Sequence, residues 1–448
     1  MKNKPMKTLS LTAWTTFPRI LHRTALAAIG VGLLTVFFSL LKNQVSPRPI
    51  LTFLGFLLIA LGSVLHFLHS FGHGKGGVRN NGIMFSGISA RGAMAWVLGL
   101  FLTGFYCVLY WSPSLLQPLV RLADPLSEAL RRKPADQYFL YGVLYTFAVL
   151  IMGTRALIKY RHIRYQLVRT GSVMFFQFVF SFILPSLLAH FREPEKYPSY
   201  FWPLSYKDLF PENVAGLMNH PGHLGRFLLL WSIGLTLIAT PILTYYFGKR
   251  WYCSWVCGCG GLANTLGDPW RQLSDKSERA WKIERVTIYS VLGFIAITTL
   301  GLWLAHWTKN ASITEFALKA KMVYGFLIGM VFSGVVGTGF YPLMGTRVWC
   351  RFGCPQAAIL GILQKTFSRF RITTNGAQCI SCGNCSTYCE MGIDVRAYAQ
   401  KGENIVRASC VGCGMCSAVC PRGVLNLENG PEEGRQNGSF SLVDELKS

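Results

Sequence analysis

The fold is decided by a stretch near the C-terminus that reads Cys379-x2-Cys382-x2-Cys385-x3-Cys389, then twenty residues, then Cys410-x2-Cys413-x2-Cys416-x3-Cys420-Pro421. Small residues separate the cysteines, so three thiolates of each half can converge from one tight loop while the fourth arrives from the next helical step. Four thiolates converging from different directions are the ligands of a cubane iron-sulfur cluster. The spacing therefore predicts two [4Fe-4S] clusters.

The same run of four cysteines occurs twice in bacterial ferredoxins, where the fourth cysteine of each run binds the other cluster. One predicted cluster has the ligands Cys379, Cys382, Cys385 and Cys420. The other has the ligands Cys410, Cys413, Cys416 and Cys389. Structural zinc is disfavoured because its cysteine pairs are separated by a longer gap, and disulfides do not need a triple spacing. Glu390 stands where the second run has Pro421, which predicts a looser exit from the first run.

Composition indicates that most of the chain is a membrane protein. Hydrophobic residues make up 51% of the sequence and charged residues only 14%, which is too apolar for a water-soluble domain. The formal net charge of +24 would favour nucleic acid as the partner of a soluble protein. Here the basic residues cluster between apolar stretches, where they set topology and face anionic lipid, so nucleic acid is not expected as a partner. Ligand-like spacing of the cysteines indicates metal binding in a reducing compartment.

A membrane-spanning helix needs roughly 20 apolar residues, and eight stretches meet that requirement. They are 24–41, 50–70, 92–112, 138–158, 172–190, 226–247, 286–307 and 322–345. The first is longer than the apolar part of a signal peptide and lacks a small-residue cleavage site, so it is interpreted as a retained anchor. Pro185, Pro241 and Pro342 are each predicted to kink the helix that contains them.

The distribution of Lys and Arg predicts a multi-pass protein of the bacterial inner membrane with both termini in the cytoplasm. The densest basic run of the inner connections extends from Arg155 to Arg169. The expected fold is mainly α, a polytopic membrane protein of about eight transmembrane helices with a small C-terminal α+β double [4Fe-4S] ferredoxin-like domain. Its expected parts are an N-terminal membrane domain (1–225), a membrane electron-transfer unit (226–370), the ferredoxin domain (371–430) and a polar tail (431–448).

Two inner helix ends resemble each other in sequence. Arg250-Trp-Tyr-Cys253-Ser-Trp-Val-Cys257 follows the sixth stretch, and Arg347-Val-Trp-Cys350-Arg-Phe-Gly-Cys354-Pro355 follows the eighth. If each is helical, the spacing of four residues puts its two sulfur atoms on one face, and two such faces make a four-thiolate site at the membrane surface. The pattern predicts a third metal centre, of iron-sulfur type, with Cys259 as a substitute ligand. Four ordinary thiols, or two redox-active pairs, are the alternatives.

A double ferredoxin run that follows apolar spans and two Cys-x3-Cys elements resembles the membrane-bound polyferredoxins of the NapH and NosR type. The similarity covers about residues 226–425 and implies an electron-transfer subunit of an oxidoreductase system rather than a stand-alone enzyme. The chain is similar, more loosely, to oxidase-assembly proteins of the CcoG, RdxA or FixG type. In that group proline usually follows both Cys-x3-Cys elements, whereas here Gly258 follows the first.

Two weaker patterns involve histidine and aromatic residues. His66, His69 and His73 share one face of the second stretch, and histidine within a membrane span is expected to be functional. A quinone or a structural role suits them better than haem, whose iron usually takes its second axial ligand from another helix. The connection from His190 to Gly225 is rich in Tyr and Trp, which predicts either anchoring at the headgroup level or a docking surface for an extracytoplasmic partner.

The sequence shows no proton-transfer pair, nucleophile or phosphate-binding loop, so no catalytic residue is predicted and one-electron transfer is the remaining chemistry. We expect an integral membrane carrier that relays electrons between a cytoplasmic donor or acceptor and the quinone pool or a membrane or periplasmic redox partner. The alternative is a protein that reduces or handles copper during respiratory oxidase assembly. A cluster of outer metal ligands would favour it, and the candidates are Met218, His220 and His223.

Overall fold

The computed structural model describes residues 19–41, 49–72, 89 and 91–429, which are mainly helical. Within them, seven helices are long and apolar enough to cross a membrane, by length and composition. Their bounds are Phe53–Gly72, Ala93–Trp111, Gln137–Lys159, Arg164–His190, Leu224–Phe247, Glu278–Thr308 and Ala311–Gly339. They correspond to the second to eighth predicted stretches. His73 and the polar tail from residue 431 lie outside the described residues.

The first predicted stretch, 24–41, lies within the helix Arg19–Leu41. The apolar part of that helix, His22–Val36, is shorter than the others, so the count of eight spans stays a prediction. The helix packs closely along Pro49–Gly72. A Cβ atom added to Gly32 would lie 2.7 Å from a backbone carbonyl oxygen of the partner helix. Only small residues allow two helix backbones to approach so closely.

The last long helix begins at Ala311, earlier than the predicted stretch. Asn310 caps it, because its side chain accepts hydrogen bonds from the backbone N–H groups of Ser312 and Ile313, the usual arrangement at a helix N-terminus. Three charged residues follow within Ala311–Val323, and they lower the hydropathy of this part of the helix. The preceding long helix ends at Thr308, so the two helices form a tight hairpin.

Pro185 and Pro241 lie inside two continuous long helices, where the predicted kinks stay predictions. A π-helical stretch, Phe176–Ile183 or Leu235–Ala239, precedes each of them. Proline has no N–H group and its ring clashes with the preceding turn, and a wider π turn is one way in which a helix accommodates such an interruption. Pro342 behaves differently, because it lies beyond the end of the last long helix in a separate short helix. The kink predicted at Pro342 is therefore wrong.

Shorter elements connect the long helices. The α-helices among them are Gln117–Leu122, Asp124–Arg131, Pro211–Met218, Trp251–Trp255, Gly258–Asn264, Tyr341–Met344, Val348–Phe352, Pro355–Phe367, Asn384–Thr387, Val395–Lys401 and Met415–Ala418. The remaining helical elements are the 3-10 turns Pro113–Leu116, Asp268–Leu273 and Gly376–Gln378, and the π-helical stretch Tyr324–Val336 within the last long helix.

The C-terminal part folds as a small α+β unit, here called the ferredoxin unit. Its strands, Phe370–Thr374 and Leu425–Asn429, pair antiparallel with Phe370 opposite Asn429. This two-stranded sheet brings the beginning of the unit to its end, so both cysteine runs lie between the strands along the chain. A small α+β domain after the helices agrees with the sequence-based expectation.

Contacts at the helix ends show that the long helices alternate in direction along the chain, since Arg161 donates to the carbonyl oxygen of Gly72 at 2.9 Å and Arg91 donates to that of Leu343 at 3.0 Å. One end of the bundle carries the helix ends at Lys159, Phe247 and Gly339 and the start of the chain segment that leads to the ferredoxin unit. We call this end the ferredoxin face. The other end, called the opposite face, carries His190 and Leu224.

Residues 191–210, which follow the fourth long helix, enter the bundle instead of remaining at the opposite face. Thr236, in the middle of its helix, donates its hydroxyl to the carbonyl oxygen of Trp202 at 3.1 Å. Tyr252, beyond the other end of that helix, donates its hydroxyl to the carbonyl oxygen of Ser199 at 2.7 Å. Irregular backbone at membrane depth is tolerated where protein covers it. In this inserted segment Phe201 and Phe210 are buried, whereas Phe191 and Tyr197 are 70% and 49% exposed, so anchoring at the headgroup level stays a prediction for the exposed rings alone.

Candidate iron-sulfur centres

Four cysteines of the ferredoxin unit line one pocket. They are Cys379, Cys382, Cys385 and Cys420. This is the set that the sequence predicts for one cluster, and it includes the fourth cysteine of the other run. Cys382 is exposed, whereas Cys385 is buried, so this pocket opens towards solvent.

The other four cysteines line a second pocket. They are Cys389, Cys410, Cys413 and Cys416. Helix Arg164–His190 contacts the backbone of this pocket, since Tyr165 donates its hydroxyl to the carbonyl oxygen of Gly412 at 2.7 Å and Gln166 donates its amide to that of Cys413. The second pocket therefore lies against the membrane bundle, and the first lies further out.

The two pockets are neighbours. Burial raises the pKa of Cys416, and surrounding thiols raise it further, among them Cys385 of the first pocket. Burial also raises the pKa of Cys385 to about 11 and that of Cys389 to about 12. Such thiols keep their protons at neutral pH, so they become thiolate ligands only where a positively charged metal centre stabilises the ionised form.

The two cysteine loops follow the same backbone path. Gly383 and Gly414 occupy equivalent positions, with φ of 78° and 72°, and each caps a short helix that carries the third cysteine of its run. Gly412 has a φ of 63°, and Ser381, its counterpart, has a φ of 57°. Positive φ is accessible to glycine at little cost, and it turns the chain tightly enough to enclose a small volume.

The third group of cysteines comes together inside the bundle. Cys253, Cys257, Cys350 and Cys354 belong to one buried cluster, and each is at most 3% exposed. Burial raises the pKa of Cys253, and the thiols of Cys350, Cys354 and Cys257 raise it further, so the four lie within electrostatic reach of one another. A hydrogen bond with the thiol of Cys259 lowers the pKa of Cys257. We call these five residues the bundle cysteines.

Neither Cys-x3-Cys pair lies on a single helix, so the condition under which both sulfur atoms would share one helix face is not met. The helix Trp251–Trp255 ends before Cys257, and Val348–Phe352 ends before Cys354. Each of these second cysteines has an extended backbone and caps the helix that begins at the next residue. The positive end of a helix dipole favours the ionised form of a nearby thiol. The duplicated feature is thus a helix break at the second cysteine.

The bundle cysteines lie level with the middle of the long helices rather than beyond the helix ends, where the sequence placed them. Gln177, the middle residue of its long helix, donates its amide to the carbonyl oxygen of Val256 at 2.5 Å. Tyr145 donates its hydroxyl to the carbonyl oxygen of Gly258 at 2.8 Å. A Cβ atom on Gly258 would lie 2.1 Å from the hydroxyl of Tyr200 in the inserted segment. Steric exclusion therefore explains why glycine stands here instead of proline.

The donor set consists of thiols, the ligands of an iron-sulfur cluster. Within the described ranges, no three His, Cys, Asp or Glu side chains lie close enough together to hold a single metal ion. Beside the bundle cysteines, the indole N–H of Trp349 and the side-chain amide of Gln356 are buried and have no hydrogen-bond partner among the described residues. Buried polar groups normally have partners, and the sulfur atoms of a cluster would accept these N–H groups.

Glu390 anchors the ferredoxin unit to the bundle. Its buried carboxylate lies 2.9 Å from Nη2 of Arg347, 3.1 Å from Nη2 of Arg169 and 3.4 Å from Nη2 of Arg271. Burial by itself would raise the pKa of Glu390, but these guanidinium groups outweigh it and hold the pKa at about 2. Ser274 also donates its hydroxyl to the carbonyl oxygen of Glu390 at 2.6 Å. The looser exit predicted at this position is wrong.

A second buried carboxylate, Asp268, extends the same network. It lies 2.7 Å from Nη1 of Arg155 and 2.8 Å from Nζ of Lys159, and it accepts the hydroxyl of Tyr160 at 2.6 Å. Arg271 contacts both Asp268 and Glu390. Part of the basic run interpreted as a topology signal therefore pairs with buried carboxylates and does not face lipid.

The histidines give weaker signals. His22 stacks on His69 and tilts against His66, with ring centroids 4.9 and 5.2 Å apart. This contact between the first two helices gives the rings a packing role, and a quinone or haem at His66 and His69 stays a prediction. On the opposite face, Nδ1 of His220 lies 3.7 Å from the carboxylate of Glu193.

Family models match both cysteine-rich parts of the chain. Residues 371–421 match the 4Fe-4S dicluster domain. The 4Fe-4S binding domain matches residues 229–283 and again 324–374, which contain the two Cys-x3-Cys elements, and this supports the internal repeat. Domains that bind 4Fe-4S clusters are thus present in the bundle and in the ferredoxin unit. No solved structure matches the chain.

Curated relatives match a shorter part of the chain. The putative electron transport protein YccM of Escherichia coli strain K12 is 27% identical over 197 residues, 41% of this chain and 53% of its own length. The methylamine utilization ferredoxin-type protein MauN of Methylorubrum extorquens is 27% identical over 166 residues, 35% of this chain and 54% of its own. The uncharacterized protein MJ0749 of Methanocaldococcus jannaschii is 26% identical over 179 residues, which are 39% of this chain and 65% of its own length. The chain thus spans less than two thirds of each relative, and what these matches establish is a protein with ferredoxin-type 4Fe-4S domains.

Proposed function

We propose that this protein is an integral membrane iron-sulfur carrier of electrons. It relays electrons between a soluble redox partner at the ferredoxin face and the quinone pool or a membrane or extracytoplasmic redox partner. The electron-transport and ferredoxin-type names of YccM and MauN support this class of function. The resemblance to NapH and NosR polyferredoxins, the eight spans, and the position of both termini in the cytoplasm belong to the same proposal.

The observation that carries the proposal is the succession of three cysteine groups from solvent into the bundle. The first pocket has an exposed cysteine, Cys382. The second lies against the helix that carries Tyr165. The bundle cysteines are buried beyond it. Clusters in these places supply one-electron transfer when bound, and the chain fixes their positions and excludes water from the inner ones.

Arg250 links the second pocket to the bundle cysteines. Its backbone N–H donates to the carbonyl oxygen of Cys410 at 3.1 Å, and its Nη1 donates to that of Cys350 at 2.8 Å. Arg250 is itself only 1% exposed. One rigidly held residue therefore contacts both groups, which keeps the distance between the two centres constant.

The inserted segment covers the bundle cysteines from the opposite face. Tyr252 donates its hydroxyl to the carbonyl oxygen of Ser199 at 2.7 Å, and the ring of Phe201 packs 5.1 Å from that of Tyr252. The innermost group is thus enclosed by protein between the two faces. This position supports a membrane or extracytoplasmic partner at the end of the relay formed by the bundle cysteines. A soluble partner would meet the other end, at the ferredoxin unit.

Electron flow through the purified protein tests the proposal. The protein is reduced with dithionite, oxidised menaquinone is added, and the visible absorbance of the clusters is followed. We expect the clusters to be reoxidised in wild type. In Cys350→Ser, the ferredoxin clusters should still be reduced by dithionite, but their reoxidation by quinone should slow at least tenfold. Cys107→Ser, which changes a cysteine outside all three groups, is the matched control.

The outcomes separate clearly. Slow reoxidation in Cys350→Ser alone supports the relay through the bundle. Reoxidation at the wild-type rate in both variants means that electrons leave from the ferredoxin unit and that the bundle cysteines are not part of the path.

A further inference from the structure

A cleft of about 910 Å³ opens at the ferredoxin face, beside the second Cys-x3-Cys element. Its apolar wall includes Trp96, Ile283 and Met344, which are 59%, 55% and 47% exposed. Its polar wall carries four arginines and one carboxylate: Arg91, Arg279, Arg347, Arg351 and Asp275. A cleft with a strongly basic side and an exposed apolar side suits an amphipathic anion.

The two buried arginines of the cleft have unused hydrogen-bond donors. Arg347 and Arg351 are 1% and 3% exposed, and each is ion-paired, with Glu390 and Glu284 respectively. Nevertheless, Nε of Arg347 and Nη2 of Arg351 make no hydrogen bond to any residue that the structure describes. Both atoms are buried below the surface of the cleft, so the positive charge that a ligand in the cleft meets comes from the exposed Arg91 and Arg279.

The depth of the cleft matches the lipid headgroup region. The helix Glu278–Thr308 has 31 residues and is therefore about 46 Å long, whereas the hydrocarbon core of a bilayer is about 30 Å thick. Ile283 and Thr287, which line the cleft, lie in the first turns of this helix. The helix is thus about 16 Å longer than the core, and if this excess is shared between its two ends, the first turn, with Arg279, lies at the level of the phosphate groups and Thr287 lies within the core.

The geometry points to a bound anionic phospholipid. Its phosphate would lie against the guanidinium groups of the exposed Arg91 and Arg279, above the buried Arg347 and Arg351, while its acyl chains lie along the apolar wall. Guanidinium groups are well suited to phosphate oxygens, and basic pockets between transmembrane helices bind anionic headgroups. An isoprenoid quinone has apolar length as well, but it carries no charge to pair with the exposed Arg91 and Arg279.

Native mass spectrometry of the full-length protein tests this site. The detergent-solubilised protein is mixed with short-chain phosphatidylglycerol or phosphatidylcholine, and the retained lipid is counted. We expect wild type to retain phosphatidylglycerol preferentially. The double variant Arg91→Ala and Arg279→Ala should bind it at least about tenfold more weakly, because each basic residue near the surface contributes to anionic lipid binding. Arg285→Ala, an exposed arginine on the same helix that does not line the cleft, should bind as wild type does.

Several results would overturn the inference. Equal retention of both lipids, or retention that the double variant does not change, rules out a headgroup site. Displacement of the lipid by inorganic phosphate at the same concentration would indicate a site for the free ion. Quinone that copurifies with wild type and is lost in the double variant would assign the cleft to quinone. If the double variant is unstable, Arg279→Ala alone is measured, with iron content as the check on folding.

Discussion

Arg250 and Arg347 each reach across to the other's Cys-x3-Cys element. Nη1 of Arg250 donates to the carbonyl oxygen of Cys350 at 2.8 Å, and Nη1 of Arg347 donates to that of Cys253 at 3.1 Å. Each arginine precedes the first cysteine of its own element by the same number of residues. The two elements are therefore related by a local twofold arrangement, in which each half holds the backbone of the other in place.

These reciprocal hydrogen bonds predict that the bundle cysteines form one centre. Cys253→Ser and Cys350→Ser should each remove about four irons and abolish the same paramagnetic signal of the reduced protein, because a cubane needs all of its ligands. Iron analysis and low-temperature electron paramagnetic resonance measure this. Two independent thiol pairs would instead give different losses in the two variants. Cys257→Ser should lose less iron than the other two variants, because Cys259 is close enough to replace Cys257 as a ligand.

The residues that line the two pockets predict that the fourth cysteine of each run binds the cluster of the other run. Cys389→Ser should damage the cluster of Cys410, Cys413 and Cys416, which line the same pocket, and leave the cluster nearest in sequence intact. Cys420→Ser should have the reverse effect. The two reduced clusters differ in solvent exposure, so redox titration followed by paramagnetic resonance should tell their signals apart. An effect of Cys389→Ser on the exposed cluster would contradict the assignment.

Glu390→Gln should loosen the ferredoxin unit. The substitution removes the charge that three buried guanidinium groups share, and breaking such a pair costs roughly 3–5 kcal/mol. We expect a lower melting temperature and faster proteolysis between the bundle and the unit. Glu403→Gln, which changes an exposed carboxylate, should leave both unchanged.

The same carboxylate predicts a pH dependence. The pKa of Glu390 is lowered from 4.5 to about 2, so its contribution is complete above pH 4.5 and is lost as the pH falls towards 2. Wild type should therefore lose stability over this window more steeply than Glu390→Gln. Parallel curves for the two proteins would show that the pKa of Glu390 is the same in the folded and unfolded states.

Gly258→Ala should disturb the contact between the bundle cysteines and the inserted segment. The added Cβ atom would lie 2.1 Å from the hydroxyl of Tyr200, and overpacking of this kind costs about 1–3 kcal/mol. Thermal stability and iron content should both fall. Gly234→Ala is the control, since a Cβ atom there meets nothing within 4 Å. Equal behaviour of the two variants would mean that Tyr200 does not lie against Gly258.

Reporter fusions test the proposed orientation. A fusion after Asn310, in the hairpin between the last two long helices, should report an extracytoplasmic position. A fusion after His162, between Gln137–Lys159 and Arg164–His190, should report a cytoplasmic one. The reverse pattern would put the ferredoxin unit outside and remove the proposed soluble cytoplasmic partner.

Local spacing made the ferredoxin unit readable from the sequence, because its loop geometry is set by short, regular intervals between ligands. The cysteines that line each pocket are those that the spacing predicted. The buried ion pairs could not be read in this way. Arg169 and Glu390 are 221 residues apart, and only the packing of the unit on the bundle brings them together. The excess of Lys and Arg was attributed to topology. For that reason the arginines that pair with buried carboxylates were not recognised from the sequence.

The burial of part of the inserted segment was missed for a different reason. Tyr and Trp suit both the headgroup level and a buried aromatic contact, so composition alone does not separate the two. The last long helix was misplaced at its start because Glu315, Lys319 and Lys321 lower its hydropathy. The helix breaks at Cys257 and Cys354 had a visible signal, since glycine and proline follow them directly.

The inserted segment also sets an order of events during synthesis of the protein. Trp202 donates its indole N–H to Thr299, and Trp303 donates its own to the carbonyl oxygen of Leu209. Both partners belong to Glu278–Thr308, which leaves the ribosome after the segment does. We therefore expect the segment to settle only when that later helix has been inserted. Cys350 and Cys354 leave the ribosome later still, so the four-thiolate site of the bundle is complete only after the segment and that helix have been made.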